Sequence, residues 1–141
     1  MDWVVFGLIA AALMASGDFF LKIASGKVSS SVGVLLYGTC TFLTGLIWTL
    51  AQKAQGQPLY AQPAGIAAGL ATGVSFGLAT VALYGAFSRG APVSVGSPFI
   101  RLGSVLAASL LGFLALHEPL TWRWAAGLAL AISGVYLIIT R

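Results

Sequence analysis

Acidic side chains are almost absent from this chain: three Asp and Glu stand against seven Lys and Arg and a single His, and only 7% of the 141 residues are charged. Soluble domains carry roughly 25% charged residues. No stretch here has the sustained polarity that a soluble catalytic, nucleic-acid-binding or cytosolic regulatory domain needs. A formal charge of +4 would suggest nucleic acid in a soluble protein, but these cations are spread over loops and termini and form no basic patch. The lone cysteine, Cys40, excludes an intramolecular disulfide or a thiolate metal cluster and is left a small hydrophobic role in an apolar stretch. There is no Walker loop, no Ser-His-Asp set and no dinucleotide fingerprint. His117 with Glu118 is too few ligands for zinc. The chain is therefore expected to be no enzyme and no ATP-driven pump by itself, with no metal and no cofactor.

What the chain has in plenty is apolar length, with 59% hydrophobic residues. A spanning helix needs roughly 20 mainly apolar residues, and five such runs occur, at about 3–23, 32–51, 64–87, 93–116 and 122–140. They predict an all-α membrane protein, a single five-helix transmembrane domain over 1–141. The runs are continuous rather than alternating, which argues against a β-barrel. The start, Met1-Asp2-Trp3, lacks the basic region of a cleaved signal, so the first run is expected to stay as a helix. The longest connection, Gln52 to Pro63, is polar and proline-broken, a loop rather than a domain.

Aromatic residues collect at membrane interfaces. With five spans, Trp3, Trp48, Trp122 and Trp124 fall on the N-terminal side, side A, while Tyr37, Tyr84 and Tyr136 fall towards the opposite side B. An even span count scrambles this sorting. Side A holds two cations, Lys53 and Arg123, and side B four, Lys22, Lys27, Arg89 and Arg141, an excess of two on side B. Positive charge is retained on the cytoplasmic side, so the bias favours an external N-terminus. So small a bias permits insertion both ways.

Polar and small residues inside the spans carry the functional signal. Gly65, Gly69, Gly73 and Gly77 recur every fourth residue and line one helix face, which another backbone can approach closely, either for static packing or for the rocking of two halves past each other. Asp18 lies within the first span, where a carboxylate needs a partner. Two are available. Lys22 is one turn on along the same helix face. Arg101, at a depth of about 12 Å in the fourth span, is within a helical turn of the depth of Asp18, about 8 Å, both from side B. Guanidinium does not shed its proton, so a buried Arg101 needs an anion or water. Pro98 precedes it by three residues and removes a helical hydrogen bond, and Ser94, Ser97 and Ser104 add polar groups. A break beside a buried charge is how carriers often build a mid-membrane site. For His117 and Glu118 the turn chemistry suffices: they cap one helix before Pro119 and Thr121 start the next.

Pro92-Val93-Ser94, Ser97-Pro98-Phe99-Ile100-Arg101-Leu102, Leu116-His117-Glu118-Pro119-Leu120-Thr121 and Gly127 through Gly134-Val135-Tyr136-Leu137-Ile138 together resemble the last two helices of the EamA-type unit of the drug/metabolite transporter superfamily. Gly17 and Lys22 are similar to the first-helix glycine and lysine of many members. Five spans resemble the short bacterial/archaeal transporter group, which holds one such unit where ordinary members fuse two inverted units. Small multidrug resistance proteins look related, but their first-helix glutamate falls at Met14 here, which counts against proton-coupled export of cationic drugs. Arg101 matches the basic residue after the fourth-span proline of the short group, and the resemblance implies an anionic or zwitterionic substrate.

The expectation is a secondary transporter of small metabolites, amphipathic solutes or lipid-linked compounds, working by alternating access as an antiparallel homodimer in the cytoplasmic (inner) membrane. Arg101, Asp18, Pro98, Ser97 and Ser94 are its expected substrate-binding or coupling residues. The rival is a non-transporting membrane scaffold or accessory subunit in which Asp18, Lys22 and Arg101 are structural ions.

Overall fold

Apolar runs bounded by Gly and Pro become helices because a backbone in lipid must satisfy its own hydrogen bonds. The computed structural model describes residues 2–119 and 121–140. Arg141, counted with the cations of side B, and Leu120 of the turn motif lie outside the described residues, as do Met1 and the side chain of Asp2. Five helices follow one another: α1 Asp2–Ala24, α2 Ser30–Ala54, α3 Pro63–Ser88, α4 Val93–Leu116 and α5 Trp122–Ile139. All five are long and apolar enough to cross a membrane, and the described residues contain no β-strand. The fold is that of an all-α membrane protein.

Local signals set the helix ends. Pro63 opens α3, where its missing N–H costs nothing. The turn after α3 passes through Gly90 at φ 97, a conformation that suits a residue with no Cβ. Between α4 and α5 the corresponding left-handed position is His117, at φ 56 and ψ 32, the one non-glycine residue with positive φ among those described. Thr121 then caps α5, its hydroxyl accepting the Trp124 N–H at 3.2 Å. His117 and Thr121 thus carry the capping that their turn chemistry foretold. α2 extends past its apolar run through Gln52 and Lys53 to Ala54.

The chain divides into two compact units, Met1–Phe19 with Gly90–Arg141, and Phe20–Arg89. In the second, α2 and α3 pack side by side, and the buried groups are Gly33, Thr80, Tyr84 and Phe87. Tyr84 lies against Gly33, whose lack of a side chain makes room for the ring. In the first unit α4 packs on α5, and Asp18 and Gly112 are buried. Most large apolar side chains remain exposed. In a bilayer this costs little, since lipid tails are as apolar as leucine.

Threonines inside α2 are satisfied locally. Thr39, Thr41, Thr44 and Thr49 each donate to the carbonyl four residues earlier, at 2.8–2.9 Å. Their hydroxyls therefore need neither water nor a second helix. Cys40, on the same helix, is a free, exposed thiol.

Candidate functional site

Helical periodicity places Met14 and Asp18 on one face of α1, and Ser97 and Arg101 on one face of α4. These two faces meet within the unit Met1–Phe19 with Gly90–Arg141. Arg101 Nη2 donates to Asp18 Oδ1 at 3.0 Å and to Oδ2 at 3.1 Å. Of the two partners open to Asp18 in the sequence, the structure selects Arg101. Lys22 instead donates to the Phe87 carbonyl at 3.0 Å, at the C-terminal end of α3, with its ammonium 5.8 Å from the centre of the Phe87 ring. A cation is at home there, at the negative end of the helix.

The ion pair is lopsided. The Asp18 side chain is 7% exposed, whereas that of Arg101 is 41% exposed. The carboxylate is enclosed and the guanidinium is half open. One nitrogen, Nη2, makes both contacts to the carboxylate. Among the described residues Nη1 has only the Met14 thioether, with Sδ at 3.6 Å, a weak acceptor. In the sequence Met14 stands only as a departure from a related pattern, and nothing there signals its contact with Arg101.

Pro98 does not break α4. The helix runs unbroken from Val93 to Leu116 with Pro98 inside it, which corrects the expectation of a broken helix. Pro98 is in the second turn, so the ladder loses one hydrogen bond close to its start, where the end of the helix can absorb the displacement of the ring. Ser97 has a buried Oγ with no hydrogen-bond partner. Ser94 is exposed. Ser104 turns back on its own helix, donating to the Arg101 carbonyl at 2.8 Å. Arg101, Asp18 and Met14 are thus in contact, Ser97 offers an unused hydroxyl one turn from Arg101, and Ser94 lies on the exposed side of α4.

The glycine ridge is elsewhere. Gly65, Gly69, Gly73 and Gly77 belong to α3, and within the unit Phe20–Arg89 nothing comes within 4 Å of where a Cβ would stand on any of them. The ridge is open within its unit.

Among the described residues no group of three or more His, Cys, Asp or Glu is placed to hold a metal ion. What the arrangement offers chemically is a permanent cation with spare donors, held by a buried carboxylate. The family model for the EamA-like transporter family matches residues 1–140 of the chain. No curated protein and no solved structure matches it.

Proposed function

Because the chain belongs to the EamA-like transporter family, we propose that it is a secondary transporter of the cytoplasmic (inner) membrane that carries a small anionic or zwitterionic metabolite, an amphipathic solute or a lipid-linked compound by alternating access. The carrying observation is Arg101: a guanidinium that cannot lose its charge, half exposed, inside a span, and engaged through one nitrogen by a buried carboxylate. In this reading Arg101 binds the anionic group of the substrate and Asp18 is its resting partner. Ser97 offers a hydroxyl beside the bound group, Pro98 loosens the start of α4, and Ser94 lies at the mouth. The five helices of 1–141 act as one unit, and two such units in opposite orientation complete the carrier.

Purified protein in liposomes tests this. A thermal-stability screen over small carboxylates, phosphomonoesters and zwitterions should return compounds that raise the unfolding temperature, because a ligand that binds only the folded state stabilises it. Arg101→Ala should abolish that stabilisation and the flux of the same compounds while the variant still inserts and assembles. Full activity in Arg101→Ala rejects the site. Absence of flux for every stabilising compound favours a scaffold.

A further inference from the structure

Cations that stand far apart in the sequence meet at one end of the unit Phe20–Arg89. Lys22 donates to the Phe87 carbonyl at 3.0 Å and Arg89 Nη1 donates to the Gly85 carbonyl at 2.8 Å, so both side chains rest on the last turn of α3. Lys27 stands exposed in the turn that follows α1, on the same side B. Between residues 20 and 89 there is no Asp or Glu. The C-terminal end of a helix supplies only about half a negative charge, and that is all the unit sets against the three cations.

The cluster has donors to spare. An ammonium carries three N–H bonds and a guanidinium five, yet the Lys22 and Arg89 side chains each give one to a carbonyl and make no other hydrogen bond among the described residues. The Lys27 side chain makes neither a hydrogen bond nor an ion pair there. Depth decides which anion is in reach. α3 has 26 residues, about 39 Å of helix against a hydrocarbon core of about 30 Å, so its end stands among the headgroups, where lipid phosphates lie. The opposite end of the unit is different: Lys53 is its one cation, among the neutral amides Gln52, Gln55, Gln57 and Gln62.

We propose that the side B end of the unit Phe20–Arg89 binds the phosphate of an anionic phospholipid, with Lys22 and Arg89 donating to its oxygens and Lys27 adding charge from the turn. The lipid is the counter-ion that the unit itself lacks, and it ties residues 20–24 of α1 to the end of α3. A zwitterionic headgroup brings its own ammonium to the cluster and competes poorly. The site involves neither Arg101 nor Asp18, so it stands whether or not Arg101 binds cargo.

Nanodiscs of phosphatidylcholine, with and without phosphatidylglycerol of the same acyl chains, test the site on the full chain. Phosphatidylglycerol should raise the unfolding temperature of the parent and stay attached to it in native mass spectrometry. Each Lys or Arg near an anionic surface contributes about fivefold in affinity, so Lys27→Gln should bind phosphatidylglycerol about fivefold more weakly and Lys27→Gln with Arg89→Gln about 25-fold more weakly. The double variant should lose the thermal gain. Arg89→Gln also removes the bond to the Gly85 carbonyl; if the double variant is unstable in phosphatidylcholine alone, Lys27→Gln decides, since it removes no hydrogen bond or ion pair. Lys53→Gln, at the opposite end, is the control and should bind as the parent does. A full thermal gain in the double variant, unchanged affinity in Lys27→Gln, or an equal loss in Lys53→Gln overturns the site in favour of diffuse charge attraction. Inorganic phosphate that stabilises the parent in phosphatidylcholine as strongly as phosphatidylglycerol does overturns the lipid as its occupant.

Discussion

Tyr84 lies with its ring where the side chain of Gly33 would be: a Cβ built on Gly33 would come within 2.7 Å of Tyr84 Cε1. Contacts this short force something to move, and Tyr84, only 7% exposed, is not the free end of a flexible chain. Gly33→Ala should therefore destabilise the protein by about 1–3 kcal/mol, the usual cost of overpacking. Gly38→Ala, on the same helix with nothing within 4 Å of its Cβ position, is the control and should be close to neutral. Thermal unfolding of the two variants in nanodiscs separates them, and equal melting temperatures would show that the Gly33 approach carries no weight.

Lys22 supplies a second local test. Its hydrogen bond to the Phe87 carbonyl adds a charged donor to an acceptor at the end of α3 that also takes the Arg89 N–H. Lys22→Met keeps most of the apolar stem and removes the donor. It should cost about 1 kcal/mol, the scale of a partly exposed hydrogen bond. Amide hydrogen exchange should quicken at the end of α3, around Phe87 to Arg89. Protection unchanged there would mean that the Lys22 ammonium is not capping α3.

These two contacts mark what could and could not be read from the sequence. The helices were legible because lipid enforces a length and a composition on each span, and the pairing of Asp18 with Arg101 was legible as one of two options because depth along a helix follows from residue count alone. The choice between Arg101 and Lys22 was not, since it depends on whether the α3 carbonyls come within reach of Lys22, a tertiary fact. Gly33 against Tyr84 was equally hidden: the regular ridge Gly65, Gly69, Gly73 and Gly77 is open within its unit, whereas the close approach in the unit Phe20–Arg89 falls at a glycine outside any repeat. Pro98 misled for a general reason. A proline near a helix start removes one hydrogen bond without ending the helix.

His117 holds the left-handed position that ends α4, where the Glu118 N–H returns to the Gly112 carbonyl at 3.1 Å. Histidine tolerates that conformation better than most residues, but a β-branched residue does not. His117→Val should lose about 1–2 kcal/mol, while His117→Gly should be at least as stable as the parent. Added zinc should shift the melting temperature of none of the three, because the role of His117 is one of backbone conformation. A zinc-dependent shift in the parent alone would reverse that assignment.

The last prediction concerns the second chain. A five-helix unit is odd, so its inverted copy cannot be a chain inserted in the same sense, and many carrier folds are built from two inverted halves around a central site. Two features of the chain favour a copy of itself as that second half. The bias of four cations on side B over two on side A is weak enough to leave insertion nearly undecided, and the Gly65 to Gly77 ridge is open within its unit, free for a close helix approach. An antiparallel pair places one Arg101 in each half of the membrane, as the proposed alternating-access carrier needs; a parallel pair places both in the same half. With Cys40, a free and exposed thiol, replaced by alanine, single cysteines at Gln57 in the α2–α3 loop and at Thr140 near the C-terminus should each be labelled by an impermeant maleimide from both sides of the membrane. In the antiparallel homodimer the two populations should be equal, and a cross-linker that traps pairs should join one chain of each orientation. Labelling of each position from one side only would sink the dual-topology homodimer and point to a parallel assembly or a different partner chain.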